Sequence, residues 1–200
     1  GVIFMHNSTN LSKYKTKNIL KRKMIEKFKR KILSILDNYD LEYAILDVGC
    51  GEGFISNYIY KTGKHRLITG IDIDKGAIDF AKGNNKCINY MVGDVNKISS
   101  NKKYDIVMAL EILEHLENPD KTLKNIMSLS KRQVIISVPN EPFFSLGNLL
   151  SLKNVKRFGT PSEHINIWTK KKFIQFLESN NIRNYKLYRS FPWLIIVITK

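Results

Sequence analysis

A doubly wound α/β fold is what this sequence predicts, and three observations predict it. Short apolar runs recur over residues 44–48, 67–72, 87–92, 104–109 and 133–138. Between them, apolar residues fall at helical spacing. Several runs end in an acid or a glycine turn, the place where a parallel sheet keeps its ligand edge. Strands alternating with helices at this rhythm predict a mostly parallel sheet covered by helices on both faces. A final pair of runs, 185–189 and 194–199, is close enough to pair as an antiparallel hairpin. The expected total is seven strands, the last one antiparallel.

The totals bound the answer. A chain of 200 residues with 43% hydrophobic and 26% charged residues suits one globular domain, taken here as 1–200. No apolar run approaches the ~20 residues of a membrane span. Gly1 to His6 is too short for a signal peptide. Cys50 and Cys87 have no metal-binding spacing, which argues against a thiolate zinc site and fits a reduced, cytoplasmic setting. The net charge of +15 invites a nucleic-acid reading, but the lysines are spread along the chain instead of forming one patch.

The elements follow in order. Residues 1–11 read as loosely attached. From 12 to 36, Leu20, Met24, Ile25, Phe28, Ile32, Leu33 and Leu36 share one helical face with lysines and arginines mostly opposite, an N-terminal helical cap. The first strand runs into Asp47-Val48-Gly49-Cys50-Gly51-Glu52-Gly53, and a helix starts near Gly53. Strand 2 ends at Asp72, and Asp74 caps the next helix. Strand 3 ends at Gly93-Asp94, strand 4 at Ala109-Leu110-Glu111. Asn118-Pro119 is a cap with proline in the first helical position. Strand 5 stops at Pro139. Residues 140–167 then lose periodicity and read as an acceptor-side insert, with a short helix around Leu146 to Leu152. Phe143, Phe144, Phe158 and Trp168 either line an acceptor pocket or fill the core. Thr169 caps a helix carrying Phe173, Ile174, Phe176 and Leu177 on one face.

Glycine spacing narrows the ligand. A dinucleotide fingerprint places its third glycine where this chain has Phe54, and a phosphate loop needs a lysine and a hydroxyl that do not follow Gly53. Asp72 lies about 20 residues past the turn, where an acid bridges ribose hydroxyls. Asp94 stands where a carboxylate can accept from an adenine amino group. The stretch Leu46 to Gly53 resembles motif I of the class I S-adenosylmethionine-dependent methyltransferases. Ile71-Asp72-Ile73-Asp74 resembles motif II, Gly93-Asp94-Val95 motif III and Tyr104-Asp105-Ile106-Val107 motif IV. The resemblance covers roughly 40–200 and implies a Rossmann-like fold with S-adenosylmethionine as cofactor. It implies a cofactor site of Asp47, Gly49, Cys50, Gly51, Asp72, Ile73, Asp94, Val95, Ala109 and Glu111. In such a site Asp72 holds the ribose, Asp94 and Val95 frame the adenine, and Gly49, Gly51 and the strand 4 end hold the methionine portion. In that family the N-terminal helices lie over the cofactor cleft, which would bring Tyr14 and Lys17 to its mouth.

Glu111-Ile112-Leu113-Glu114-His115 is the second feature. The stretch resembles one in ubiquinone-pathway O-methyltransferases. On one helical turn, Glu111, Glu114 and His115 would face a single point. With His164 they resemble the Glu/Glu/His/His metal set of methyltransferases that act on the 3′ end of small RNAs. Oxygen and nitrogen ligands suit a divalent ion. Without metal, His115 or His164 is the candidate base toward a hydroxyl acceptor. The expected activity is methyl transfer to a small-molecule acceptor, at oxygen. An RNA-modifying enzyme and a non-catalytic cofactor-binding subunit are the alternatives.

Overall fold

The computed structural model describes residues 13–14, 16–37, 42–65, 67–98, 101–143, 145 and 165–200. His164, Phe144, Phe158, residues 1–11 and the helix expected around Leu146 to Leu152 lie outside this set. The strands form one seven-stranded sheet in the order β3-β2-β1-β4-β5-β7-β6. Every strand pairing described within β1–β5 is parallel, and β7 runs antiparallel to both β5 and β6. The expected mixed sheet with a reversed last strand is therefore present. Among the described residues, no helix is long and apolar enough to cross a membrane. The contacts group into two compact units, Gly1–Lys97 and Ile98–Lys200.

The first unit opens with α1, Ile19–Leu36. It begins later than the apolar period predicts, because Asn18 is extended and its side chain accepts from the Lys21 N–H, ending the orphan-donor problem there. Ile25, Phe28, Ile32, Ile35 and Leu36 form its buried stripe. Then come β1 (Ile45–Val48), α2 (Phe54–Thr62), β2 (Ile68–Asp72), α3 (Lys75–Asn84) and β3 (Asn89–Val92). Asp74 caps α3 as expected, accepting from the N–H groups of Gly76 and Ala77. All of β1 is buried, as a strand covered on both faces must be.

His65 ties α1 to this unit. It is fully buried, its Nε2 lies 3.1 Å from the carbonyl of Leu36 and its Nδ1 3.3 Å from the N–H of Tyr43. That pattern requires the tautomer with hydrogen on Nε2, donating to the last carbonyl of the helix. The ring also stacks on Tyr43, 6.1 Å between centroids.

The second unit holds β4 (Tyr104–Leu110), a 3-10 turn at Leu113–His115, α4 (Pro119–Leu129), β5 (Ser130–Pro139), α5 (Lys170–Ser179), β6 (Tyr185–Ser190) and β7 (Trp193–Thr199). Asn118 caps α4 with Pro119 in its first turn, and Thr169 caps α5 by accepting from Lys172. β5 starts three residues before the expected run, since α4 hands over to it at Ser130 without a loop. β7 is an apolar strand, Trp193 to Ile198 all buried, hydrogen-bonded on both sides. Its burial on both faces explains why it reads as a continuous run and not as an alternating one.

Candidate active site

The carboxyl edge of the first unit is built from its sequence signals. β1 and β2 pair with Val48 beside Ile71, so the chain leaves β1 next to the end of β2. There the Ile71 carbonyl accepts from the N–H groups of Gly49 and Cys50. Gly49, Gly51 and Gly53 all have positive φ, at 67, 52 and 71°. L-residues with a Cβ rarely take that conformation, which is why the turn is made of glycine. Asp72 then braces the turn: one carboxylate oxygen accepts from the Gly51 N–H at 2.8 Å, the other from the Asp74 N–H at 2.9 Å. A carboxylate has about four acceptor positions, so two remain for ligand hydroxyls.

β2 pairs with β3 such that Asp72 lies beside Val92, and the Asp72 carbonyl accepts from the Gly93 N–H. Asp94 follows immediately, with one oxygen accepting from the Asn96 N–H at the start of the 3-10 turn Val95–Lys97. Val95 is buried, while Ile73 is 77% exposed. Asp47, Gly49, Cys50, Gly51, Asp72, Ile73, Asp94 and Val95 thus fall along one edge of this unit.

Asp47 itself is buried within β1 and accepts from the Ser56 hydroxyl of α2. Burial pushes its pKa up to about 7, the Ser56 bond lowers it, and the nearby Asp72 charge raises it further. Burial, with Asp47 and Asp72 behind it, also drives the Cys50 thiol well up, which keeps it protonated and unreactive. Tyr90 forms the floor. A Cβ on Gly70 would meet its ring at 2.6 Å and Cys50 Sγ at 2.9 Å, so only glycine fits there. The Tyr90 hydroxyl donates to the Gly53 carbonyl at 3.3 Å. Tyr14 stacks on Phe54, at the first position of α2, with centroids 4.7 Å apart.

In the second unit, Ala109 is fully buried inside β4. Glu111 adopts φ 57°, a left-handed conformation that glutamate seldom takes. Two contacts hold it: its N–H donates to the Ser137 carbonyl at 2.9 Å, and its carboxylate accepts from the Trp193 indole N–H of β7. Strain of this kind concentrates at functional positions. The stretch after it does turn, as expected, in a 3-10 helix. The 3-10 turn sends Glu114 inward, 1% exposed, and leaves His115 exposed. His164, the fourth member of the set expected with Glu111, Glu114 and His115, lies outside the described residues. Among the described residues no group of three His, Cys, Asp or Glu side chains is arranged to hold a metal ion.

Asn166 is the residue that spacing did not reveal. Its side-chain amide donates to the Leu113 and Leu116 carbonyls at 3.0 and 2.7 Å, and its N–H donates to the Glu114 carbonyl. It clamps the whole turn. Ser56 and Trp193 were likewise hidden, since each acts on an acid far away in sequence.

Comparison with known proteins gives this arrangement a family. Residues 40–181 match the family described as a methyltransferase domain. A ubiquinone biosynthesis O-methyltransferase of Coxiella burnetii is 35% identical over 92 residues, which cover 44% of this chain and 38% of that protein. The chain therefore spans well under two thirds of that relative. A magnesium protoporphyrin IX methyltransferase of Synechocystis PCC 6803, solved with bound SAH, superposes with a TM-score of 0.68 at 19% identity, covering 97% of this chain and 95% of that one. A small RNA methyltransferase superposes with a TM-score of 0.71 at 19% identity, over 88% of this chain and 25% of that one. At such identities the two structures speak for the fold, whereas the family match extends over most of the chain. On that match the chain belongs to the methyltransferase domain family.

Proposed function

We propose that this enzyme methylates a small-molecule acceptor at oxygen, and that the edge of the first unit holds the cofactor. The observation that carries the site is Asp72, which braces the Gly51 turn and keeps acceptor positions in hand. The residues fit S-adenosylmethionine: a glycine turn with no side chain to obstruct it, carboxylates for hydroxyl and amino groups, and no cation set for phosphates. The bound cofactor supplies an electrophilic methyl group on a sulfonium.

The chain's own part is to position and to move a proton. Asp72 takes the ribose hydroxyls, Asp94 the adenine amino group, and Ile73 with Val95 covers the ring. Asp47 places an acid behind the glycine turn, which suits a cationic ligand. Holding nucleophile and methyl at near-attack distance supplies several kcal/mol without any chemistry by the protein. His115, exposed after β4, is the described candidate to take the proton of a hydroxyl acceptor, and His164 is the other. Oxygen is favoured because the Coxiella burnetii relative is an O-methyltransferase. The described residues do not fit a metal, and no step is assigned to one.

Titration calorimetry with S-adenosylmethionine and with NAD tests the site: binding of NAD alone overturns it. Asp72→Ala should weaken the cofactor by about 1–3 kcal/mol, and an unchanged affinity removes Asp72 from the site. Labelled methyl incorporation into cell extract tests the acceptor. Label in an extractable small molecule supports the reading; label in RNA would favour the alternative that the charge of +15 invites. Cofactor binding without any turnover would make the chain a partner subunit.

A further inference from the structure

Helix α1 carries charges that its own stability does not explain. Arg22, Lys23, Lys27 and Arg30 line an open groove of about 480 Å³ together with Glu26. Glu26 is taken by Lys29 at 2.5 Å, and Lys29 also lies 4.6 Å over the Tyr58 ring. Among the described residues the four groove cations have no acid of their own. The first turn of the helix holds no acid either, so Arg22 and Lys23 stand near the positive end of the helix dipole. Lys23 and Lys27 repel each other across one turn. At the same end, Ile19 is 63% and Leu20 69% exposed, while the apolar stripe of the helix is already spent on the core. Every one of these features costs the isolated protein something, and all of them lie at one place.

A surface with negative head groups and an aliphatic interior relieves all of them at once. We propose that this end of α1 seats the enzyme on an anionic phospholipid surface, with Ile19 and Leu20 entering between head groups and Arg22, Lys23, Lys27 and Arg30 on the phosphates. A nucleic acid would satisfy the cations but not the aliphatic pair. Single-strand binders stack bases on exposed aromatic rings; Phe28 of α1 is buried, and Tyr58 beside it is covered by Lys29. The proposal concerns where the enzyme sits and does not depend on which acceptor it methylates.

Sedimentation of the full chain with phosphatidylcholine vesicles, with and without phosphatidylglycerol, tests it. Binding is expected only with phosphatidylglycerol and should fall with salt. Ile19→Ser with Leu20→Ser leaves the charge unchanged and should lower partitioning about tenfold. Arg22→Gln, Lys23→Gln, Lys27→Gln and Arg30→Gln together should lower it on the order of 100-fold. Neutralising exposed Lys82, Lys86, Lys170 and Lys171 to Gln removes the same charge elsewhere and should cost far less. Equal losses from both quadruple variants, or no loss from the Ile19 and Leu20 pair, overturns the proposal. So does binding to polyuridylate that is tighter than to the vesicles and is lost with the α1 quadruple variant, which would give the strip to nucleic acid.

Discussion

At the scale of single residues, the first acid of the glycine stretch is the most informative. Asp47 is held in the core by one hydroxyl, from Ser56. An acid whose pKa rises on folding binds its proton more tightly in the folded chain. Its stabilising contribution is complete below the ordinary value of 3.8 and disappears as the pH climbs through about 7. At about 1.4 kcal/mol per pH unit across that window, ionised Asp47 costs the ligand-free protein on the order of 4 kcal/mol. Asp47→Asn keeps an acceptor for Ser56 without the charge. It should raise the melting temperature at pH 8, with little effect near pH 4, and should weaken binding of the cationic cofactor. An Asn variant whose stability falls with pH as steeply as the parent would show that another group carries the dependence.

At the scale of elements, two polar side chains hold segments that apolar packing alone would leave loose. His65→Phe preserves the stacking on Tyr43 but removes the ring nitrogens that meet the Leu36 carbonyl and the Tyr43 N–H. A loss of about 1–3 kcal/mol in chemical denaturation is expected; a neutral result would mean that water replaces the ring nitrogens. Asn166→Ala should cost a similar amount and speed hydrogen exchange at His115 and Leu116, whose N–H groups close the turn it clamps. These same elements show what was legible in the sequence. The strands, the caps at Asp74, Asn118 and Thr169, and the acids at strand ends could be read because each depends on neighbours within a few positions. Ser56 on Asp47, Asn166 on the turn after β4 and Trp193 on Glu111 act across 9, 53 and 82 residues. No local pattern encodes such pairings. The shape of the turn after β4 was hidden for a related reason: spacing alone does not announce that it opens on the left-handed Glu111 and continues as a 3-10 turn.

For the whole molecule, the excess of positive charge is the dominant long-range term. Lys29 pairs with Glu26, Lys75 with Asp79, and Lys131 and Arg132 share Asp105. Against a net charge of +15, repulsion outweighs these exposed pairs. Thermal stability should therefore rise with moderate salt, as screening acts within a Debye length of about 10 Å. A melting temperature that falls with added sodium chloride would show that the ion pairs dominate instead. The placement of β7 between β5 and β6 has a consequence for the order in which the protein is made. Translation delivers β6 before the strand that joins it to anything, so its hydrogen-bonding edge waits in water, and so does the far edge of β5. A released chain truncated after Ser190 should expose both edges to holdase chaperones and protease, and a chain that includes β7 should protect them together. β7 thus works as a zip between two teeth already laid down.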